Sequence, residues 1–240
     1  MLSQTVYSLH IGSLSVQLLP QKAAYIPSLR SLLVSDIHLG KAETFQHFGI
    51  PISSQVNGDS LTRLLTLCRQ LAPQRLFILG DLVHSRHGWT DPVQAQWQTF
   101  VQAVDLEIVL IVGNHDRHSI GHTIDQIPPY TTAWHESLQV QCVSERVQLE
   151  GLILSHDPYE SAHLEESYEL NICGHIHPCL RLKSRLDDLR LPCFFLERVQ
   201  NRLILPSFGT FTGGYDIDLR PETVAYGIVD DRVIAFAGKP

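Results

Sequence analysis

No apolar run in these 240 residues approaches the roughly 20 needed to span a bilayer, so membrane insertion is not expected. The opening Met1-Leu2-Ser3-Gln4-Thr5 lacks the basic and apolar segments of a secretory signal, and the five cysteines include no close Cys-x-x-Cys pair. Both absences point to a reducing cytoplasm. Positive charge is also short: 18 Lys and Arg against 25 Asp and Glu leave a net charge of -7. Such a surface has no global attraction for polyanions, so contact with nucleic acid would have to come from a local patch or from bound metals. One stretch departs from the average, with Arg181, Lys183, Arg185, Arg190, Arg198 and Arg202 opposed only by Asp187, Asp188 and Glu197. A solvated loop and hairpin is an equal reading of it. No linker, internal repeat or low-complexity tract divides the chain. With 44% hydrophobic and 18% charged residues it has the composition of a soluble globular protein, and residues 1–240 are expected to form one domain.

Against these absences stands a pattern that occurs five times: a short apolar run ending in a metal-binding type of side chain. Leu32-Leu33-Val34 leads to Asp36 and His38, Leu76 to Leu79 to Gly80-Asp81, and Ile108 to Val112 to Gly113-Asn114-His115-Asp116. Leu152-Ile153-Leu154 leads to His156, and Ile172-Cys173 to Gly174-His175-Ile176-His177. Runs this short read as buried strands, and ligands following successive strands converge where open α/β sheets place their active sites. One composite metal site is predicted.

Residues 5–19 alternate around Gly12 and suggest an initial hairpin. Helical spacing covers Lys41 to Phe48 and Asp59 to Leu71, the latter closed by Pro73, and Asp91 caps a helix expected from Pro92 to Val104. Later runs read as strands: Leu138 to Cys142, Arg146 to Leu149, Leu152 to Leu154, Phe194 to Val199, Arg202 to Leu205, Val224 to Val229 and Arg232 to Ala237. A helix is expected around Glu160 to Tyr168. An α/β first half and a β-rich second half predict an α/β fold in which two mixed β-sheets pack as a sandwich with helices outside.

Asp36, His38, Asp81, Asn114, His156, His175 and His177 offer oxygen and imidazole donors with no thiolate. That set suits manganese, iron or zinc, and seven ligands are too many for one ion. Two ions about 3.5–4 Å apart, sharing a bridging carboxylate, would use them all, activating a bridging hydroxide and clamping phosphate oxygens for in-line attack. Hydrolysis of a phosphate ester follows.

The ordered string Asp36-x-His38, Gly80-Asp81-x-x-His84, Gly113-Asn114-His115-Asp116, His156, Gly174-His175-x-His177 resembles the signature of the calcineurin-like metallophosphoesterases. The resemblance implies a four-layer α-β-β-α fold. It places one metal on Asp36, His38, Asp81 and His177 and the other on Asp81, Asn114, His156 and His175, with Asp81 as the bridge. It also implies that His115 faces the leaving-group oxygen, with Asp116 orienting it, and that His84 is a partner behind the ligands or an ordinary loop histidine.

Further text, Asp36-Ile37-His38-Leu39-Gly40-Lys41, Phe45, Gly49-Ile50-Pro51, Leu191-Pro192-Cys193-Phe194 and Leu205-Pro206-Ser207-Phe208-Gly209-Thr210-Phe211-Thr212-Gly213-Gly214, is similar to one bacterial branch. These are the ligase-associated DNA-damage-response endonucleases, the PdeM group. The likeness implies a phosphodiesterase or endonuclease with two divalent ions, Mn2+ foremost and Fe or Zn as alternatives. It also implies DNA as substrate and functional company with an ATP-dependent DNA ligase, a helicase and a second nuclease. A small-molecule phosphatase or cyclic-nucleotide phosphodiesterase, which the acidic balance favours, and a non-catalytic scaffold are the other readings. Gly209 to Gly214 is either a substrate-approaching loop or a sharp turn. Lys41, Arg117 and His118 are either phosphate contacts or solvated positions, and Trp89 and Trp97 either stack on a base or pack in the core.

Overall fold

All five apolar runs that end in ligand-type residues are strands, three of them adjacent in one sheet and two adjacent in a second. The structure, a computed structural model, describes residues 6–120, 127, 131–159, 168–185 and 187–238. It opens with an antiparallel meander, β1 (Tyr7–Ile11), β2 (Leu14–Leu19) and β3 (Ala23–Ile26), followed by β4 (Ser31–Val34). Helices α1 (Lys41–His47) and α2 (Gln55–Leu71) lead to β5 (Arg75–Leu79), and α3 (Asp91–Ala103) to β6 (Glu107–Ile111) and the short α4 (Asn114–Ser119). β7 (Thr132–His135) and β8 (Val140–Val143) complete a sheet of order β1-β2-β3-β4-β5-β6-β8-β7, whose members from β4 to β8 pair in parallel.

The second sheet contains β9 (Arg146–Leu149), β10 (Leu152–Ser155), β11 (Leu170–Cys173), β12 (Pro178–Lys183), β13 (Asp188–Glu197), β14 (Arg202–Ile204) and β15 (Tyr215–Asp216). β16 (Thr223–Val229) and β17 (Arg232–Ala237) extend it from β13. β10, β11 and β14 run parallel and the hairpins around them antiparallel. Both sheets are therefore mixed, as expected.

Period-two alternation explains why the central runs are apolar throughout. Leu32, Val34, Leu76, Ile78, Ile108 and Leu110 face a core shared with α2 and α3, whereas Leu33, Phe77, Leu79, Val109 and Ile111 face the second sheet. α2 contributes Leu61, Leu64, Leu67 and Cys68, and α3 contributes Val93, Trp97 and Phe100, each at helical spacing. Trp97 is fully buried and its indole N–H donates to the Leu138 carbonyl at 2.9 Å, so it is a packing residue. Trp89 packs against the same core. Between the sheets, Leu152, Leu154, Leu170, Ile172, Phe194 and Leu203 meet the inner face of the first sheet.

The outer face of the second sheet carries a small cluster, Cys173, Leu180, Cys193, Phe195, Ile204 and Ala225, against which Ile217 and Leu219 pack. Among the described residues no helix covers it, and the helix expected around Glu160 to Tyr168 lies outside the described residues except at Tyr168. All five cysteines are free, and burial pushes the thiols of Cys68, Cys142 and Cys193 up to about 12, which makes them packing groups. No helix among the described residues is long and apolar enough to cross a membrane.

The hairpin at residues 7–19 and the three early helices match expectation, although α2 starts at Gln55, ahead of Asp59. β3, β7, β12 and β15 are additional, and β13 begins at Asp188, not at Phe194. Proline and alternating charges disguise that first half. Pro192 is tolerated because β13 pairs with β12 up to that residue and with β14 and β16 only from Cys193 onward, so no ladder on the second side needs its missing N–H.

Phe194→Ala, which empties a fully buried position between the sheets, should lower stability by about 3–5 kcal/mol in urea denaturation. Phe48→Ala, at a side chain 67% exposed, should stay within about 0.5 kcal/mol of the parent.

Candidate metal centre

The parallel register of β4 and β5 continues past the strand ends as a backbone ladder. Asp36 N–H donates to the Gly80 carbonyl at 3.0 Å, His38 N–H to Asp81 at 2.9 Å, Leu39 N–H to Leu82 at 2.8 Å, and His84 N–H returns to Leu39 at 2.9 Å. Asp36, His38 and Asp81 are thereby set in fixed positions relative to one another. Each adopts left-handed backbone, as do His175 and His177, with φ between 52° and 68° for all five. Asp and His visit this region more readily than most residues, yet each such residue stores on the order of 1–3 kcal/mol that the surroundings must hold.

Two glycines let these turns interlock. Gly80 has φ 79°, and a Cβ there would lie 2.1 Å from His156 Nδ1. A Cβ on Gly113 would lie 2.3 Å from Asp81 Oδ1. The glycine before a ligand thus makes room for a different ligand.

All seven sequence-predicted ligands are brought together. Asp36 Oδ1 is 3.0 Å from His177 Nε2, and His38 Nε2 is 3.8 Å from Asp81 Oδ2. On the other side of Asp81, Oδ1 is 3.5 Å from His156 Nε2, which lies 3.0 Å from Asn114 Oδ1 and 3.1 Å from His175 Nδ1. His156 Nδ1 donates to the Leu79 carbonyl at 2.9 Å, which turns its Nε2 lone pair inward. The two oxygens of one buried carboxylate therefore face two separate groups of donors.

Asp36 Oδ1, His38 Nε2 and His177 Nε2 are buried and, among the described residues, make no hydrogen bond. The Asp36–His177 pair is close enough for one but lacks its alignment. Buried donors and acceptors are rarely left unpaired, and a cation among these atoms removes the cost. Asp36, His38, Asp81 and His177 could hold one divalent ion, and Asp81, Asn114, His156 and His175 a second. An all-oxygen-and-imidazole set suits first-row ions.

Electrostatics agree with that fit. Burial, then the neighbouring His177, His115, Lys41 and His84, drives the His38 pKa far down, so its ring is neutral and offers a lone pair. Burial raises the Asp81 pKa and Asp36 raises it further, against the opposing pull of His156. Burial lowers the His156 pKa, but Asp36 and Asp81 outweigh it and the net direction is up. The nearby Asp36 makes Asp81 harder to ionise, a cost that a divalent cation between them would offset.

His115 N–H donates to Asp81 Oδ1 at 2.9 Å, and its ring Nδ1 donates to the His84 carbonyl at 2.7 Å. The ring lies edge-on to His38 and stacks on His84 at 4.9 Å. Asp116, expected to orient His115, does something else: its carboxylate is buried and accepts from Val83 N–H at 2.9 Å and Gly113 N–H at 3.0 Å. It ties the Asp81 loop to the start of α4, while the His84 carbonyl orients the imidazole. His84 Nδ1 stands 3.3 Å from His38 Nδ1, and burial, Lys41 and His115 lower its pKa to about 4, so it stands behind a ligand as a neutral ring.

The Pro206 to Gly214 segment is a brace. Ser207 Oγ donates to the Asp36 carbonyl at 2.8 Å, Phe208 N–H to Ser35 at 2.8 Å and Gly209 N–H to Asp36 at 3.1 Å. Thr210 Oγ1 meets Ser60 Oγ of α2 at 2.9 Å, and Phe208 is fully buried. Asp157 was missed in the sequence: its Oδ1 lies 3.4 Å from His175 Nδ1, and its only signal is to follow His156. In the basic stretch of the second half, three of the six cations are salt-bridged. Arg181 pairs with Asp188 and Asp216, Arg190 with Asp216, and Arg202 with Glu197. Two cavities flank Asn114. One, about 510 Å3, is lined by His84, His87, His115 and His118, and the other, about 320 Å3, by Arg117, Arg146, His156 and Tyr159.

Residues 29–141 match the calcineurin-like phosphoesterase family, and the chain belongs to this family of metal-dependent phosphoesterases. It is similar to nuclease MPE of Pseudomonas putida, at 32% identity over 93% of this chain and 97% of that one, with a TM-score of 0.74. Weaker likenesses are to Yfce, a phosphoesterase from E. coli (17% identity, 87% of this chain and 99% of that one, TM-score 0.42), and to AQ665, a protein of unknown function from Aquifex aeolicus (17%, 61% and 78%, 0.40). No curated protein matches.

Gly80→Ala should push His156 off the Leu79 carbonyl and lower the divalent-metal content of the purified protein, measured by elemental analysis, while far-UV circular dichroism stays unchanged. Unaltered metal content would show that the close approach is not required.

Proposed function

We propose that this metallophosphoesterase hydrolyses phosphodiesters of nucleic acid at a two-metal centre, as a repair-associated endonuclease. Asp36, His38, Asp81 and His177 would hold one ion, and Asp81, Asn114, His156 and His175 the other. The observation that carries the reading is the Asp81 carboxylate, buried, with one oxygen toward each donor group. A bound pair of ions supplies Lewis-acid activation of water and neutralises charge on the phosphate. Manganese is the ion proposed, with iron or zinc as alternatives.

His115 serves the leaving group. With Nδ1–H fixed on the His84 carbonyl, a protonated ring presents Nε2–H to the cavity and passes that proton to the departing alkoxide. It then remains neutral with Nδ1–H still in place, so the ring need not turn. Asp116 acts as a positioning residue by holding Val83 and Gly113.

Nucleic acid as substrate is supported by the likeness to a nuclease along almost its whole length. The PdeM-like segments support functional association with an ATP-dependent DNA ligase and a helicase, in the cytoplasm. The chain acts as one domain, because the core between the sheets draws on strands from both halves. A small phosphoester is the second reading, favoured by the net charge of -7.

His115→Ala should cut turnover by about 10²–10⁴-fold with both metals retained, whereas Asp81→Asn should lose metal together with rate. Elemental analysis beside hydrolysis of a labelled DNA strand and of a small aryl phosphodiester and phosphomonoester reads both. Cleavage of the small esters with no cleavage of any nucleic acid across manganese concentrations would refute the nuclease reading. Chelation should lower the melting temperature and readdition of Mn2+ restore it, since the folded form alone gathers the ligands.

A further inference from the structure

On the His115 side the site continues outward into three rings that the hydrolytic chemistry does not use. His47, at the end of α1, and His87 stack with centroids 4.4 Å apart and planes 14° from parallel. Phe48 stands edge-on to both, at 5.1 Å from His47 and 5.8 Å from His87. His87 lines the same cavity of about 510 Å3 as His84 and His115, so the ring cluster is continuous with the wall that carries the leaving-group histidine. All three side chains are exposed, Phe48 to 67%, and Ile50 beside them to 45%. One exposed ring is ordinary, but three in mutual contact, one of them in the wall of the cavity beside His115, make a surface of a particular chemistry.

The cluster is built, not a meeting of loose side chains. Gly40 and Gly88 pack backbone to backbone, so closely that a Cβ on Gly40 would fall 2.2 Å from the Gly88 carbonyl oxygen. Thr44 Oγ1 donates to the Gly40 carbonyl at 2.9 Å, which leaves Ser85 Oγ to donate to it at 2.6 Å. Together with the His84 to Leu39 backbone bond, these contacts dock α1 on the residue 84–88 loop and bring His47 against His87.

We propose that His47, Phe48 and His87 form a stacking subsite for the nucleobase of the leaving nucleoside. The inference rests on the nuclease reading and on His115 marking the leaving side. Every base has a π-face, so such a platform accepts any of the four bases and gives sequence-tolerant grip, but gives nothing to an abasic sugar or an alkyl group. The base must be free of its own stack to reach the rings.

The test compares two deoxydinucleotides that differ only in whether the leaving nucleoside carries a base or is abasic, with the manganese-loaded full chain. The parent should favour the based substrate by about tenfold in kcat/KM, the weight of one stacked base. Phe48→Ala combined with His87→Ala should bring the ratio close to one while leaving the abasic rate unchanged. His87→Phe, which keeps a π-face, should retain the preference. A leaving 2-aminopurine should lose its binding-induced fluorescence quenching in the double variant. A parent that shows no preference, or a double variant that keeps it, overturns the subsite and leaves the nuclease reading standing. A parent that cleaves neither dinucleotide but hydrolyses aryl phosphate overturns both.

Discussion

The hydrogen-bonded register that β4 and β5 share beyond their ends governs where every other group of the centre can stand. Strands normally diverge into independent loops once their ladder stops. Here the ladder runs on through Asp36–Gly80, His38–Asp81 and Leu39–Leu82, so two ligand-bearing turns behave as one rigid piece. Asp116 fastens that piece to α4, and the Leu79 carbonyl fixes the tautomer of a histidine from the opposite sheet. Side chains from both sheets can then meet within ångströms because their backbones are not separately mobile.

The cost of this arrangement is visible in the backbone and in the charges. Five of the clustered residues hold left-handed φ, and two carboxylates lie buried near each other, burial and the nearby Asp36 holding the Asp81 pKa up. A site selected for stability alone would avoid both features, so they read as strain and charge kept for a cation. The cores on either side of the first sheet supply the rigidity that keeps these turns from relaxing.

The convergence of the candidate ligands was legible in the sequence because each follows soon after a buried strand, and strands buried on both faces write an unbroken apolar run. Gly80 and Gly113 were legible too, though their purpose, making room for His156 and Asp81, needs three dimensions. Asp116 was misjudged because adjacency to His115 in sequence says nothing about direction: on a helix, neighbours point apart, and its carboxylate reaches Val83 and Gly113. The first half of β13 was invisible since its exposed, charged face and Pro192 imitate a loop. The stack of His47 on His87 had no linear signature, as its members are forty positions apart and are joined by a glycine–glycine contact.

The brace on the Asp36 turn comes from residues 207–209, far along the chain from what it supports. A polypeptide leaving the ribosome presents Asp36 and His38 long before that prop has been made, and domains fold as their sequence emerges. The centre is thus completed only once residues 207–209 have been made. A chain truncated before Ser207 would carry all seven candidate ligands and yet lack the prop that holds the Asp36 turn in place.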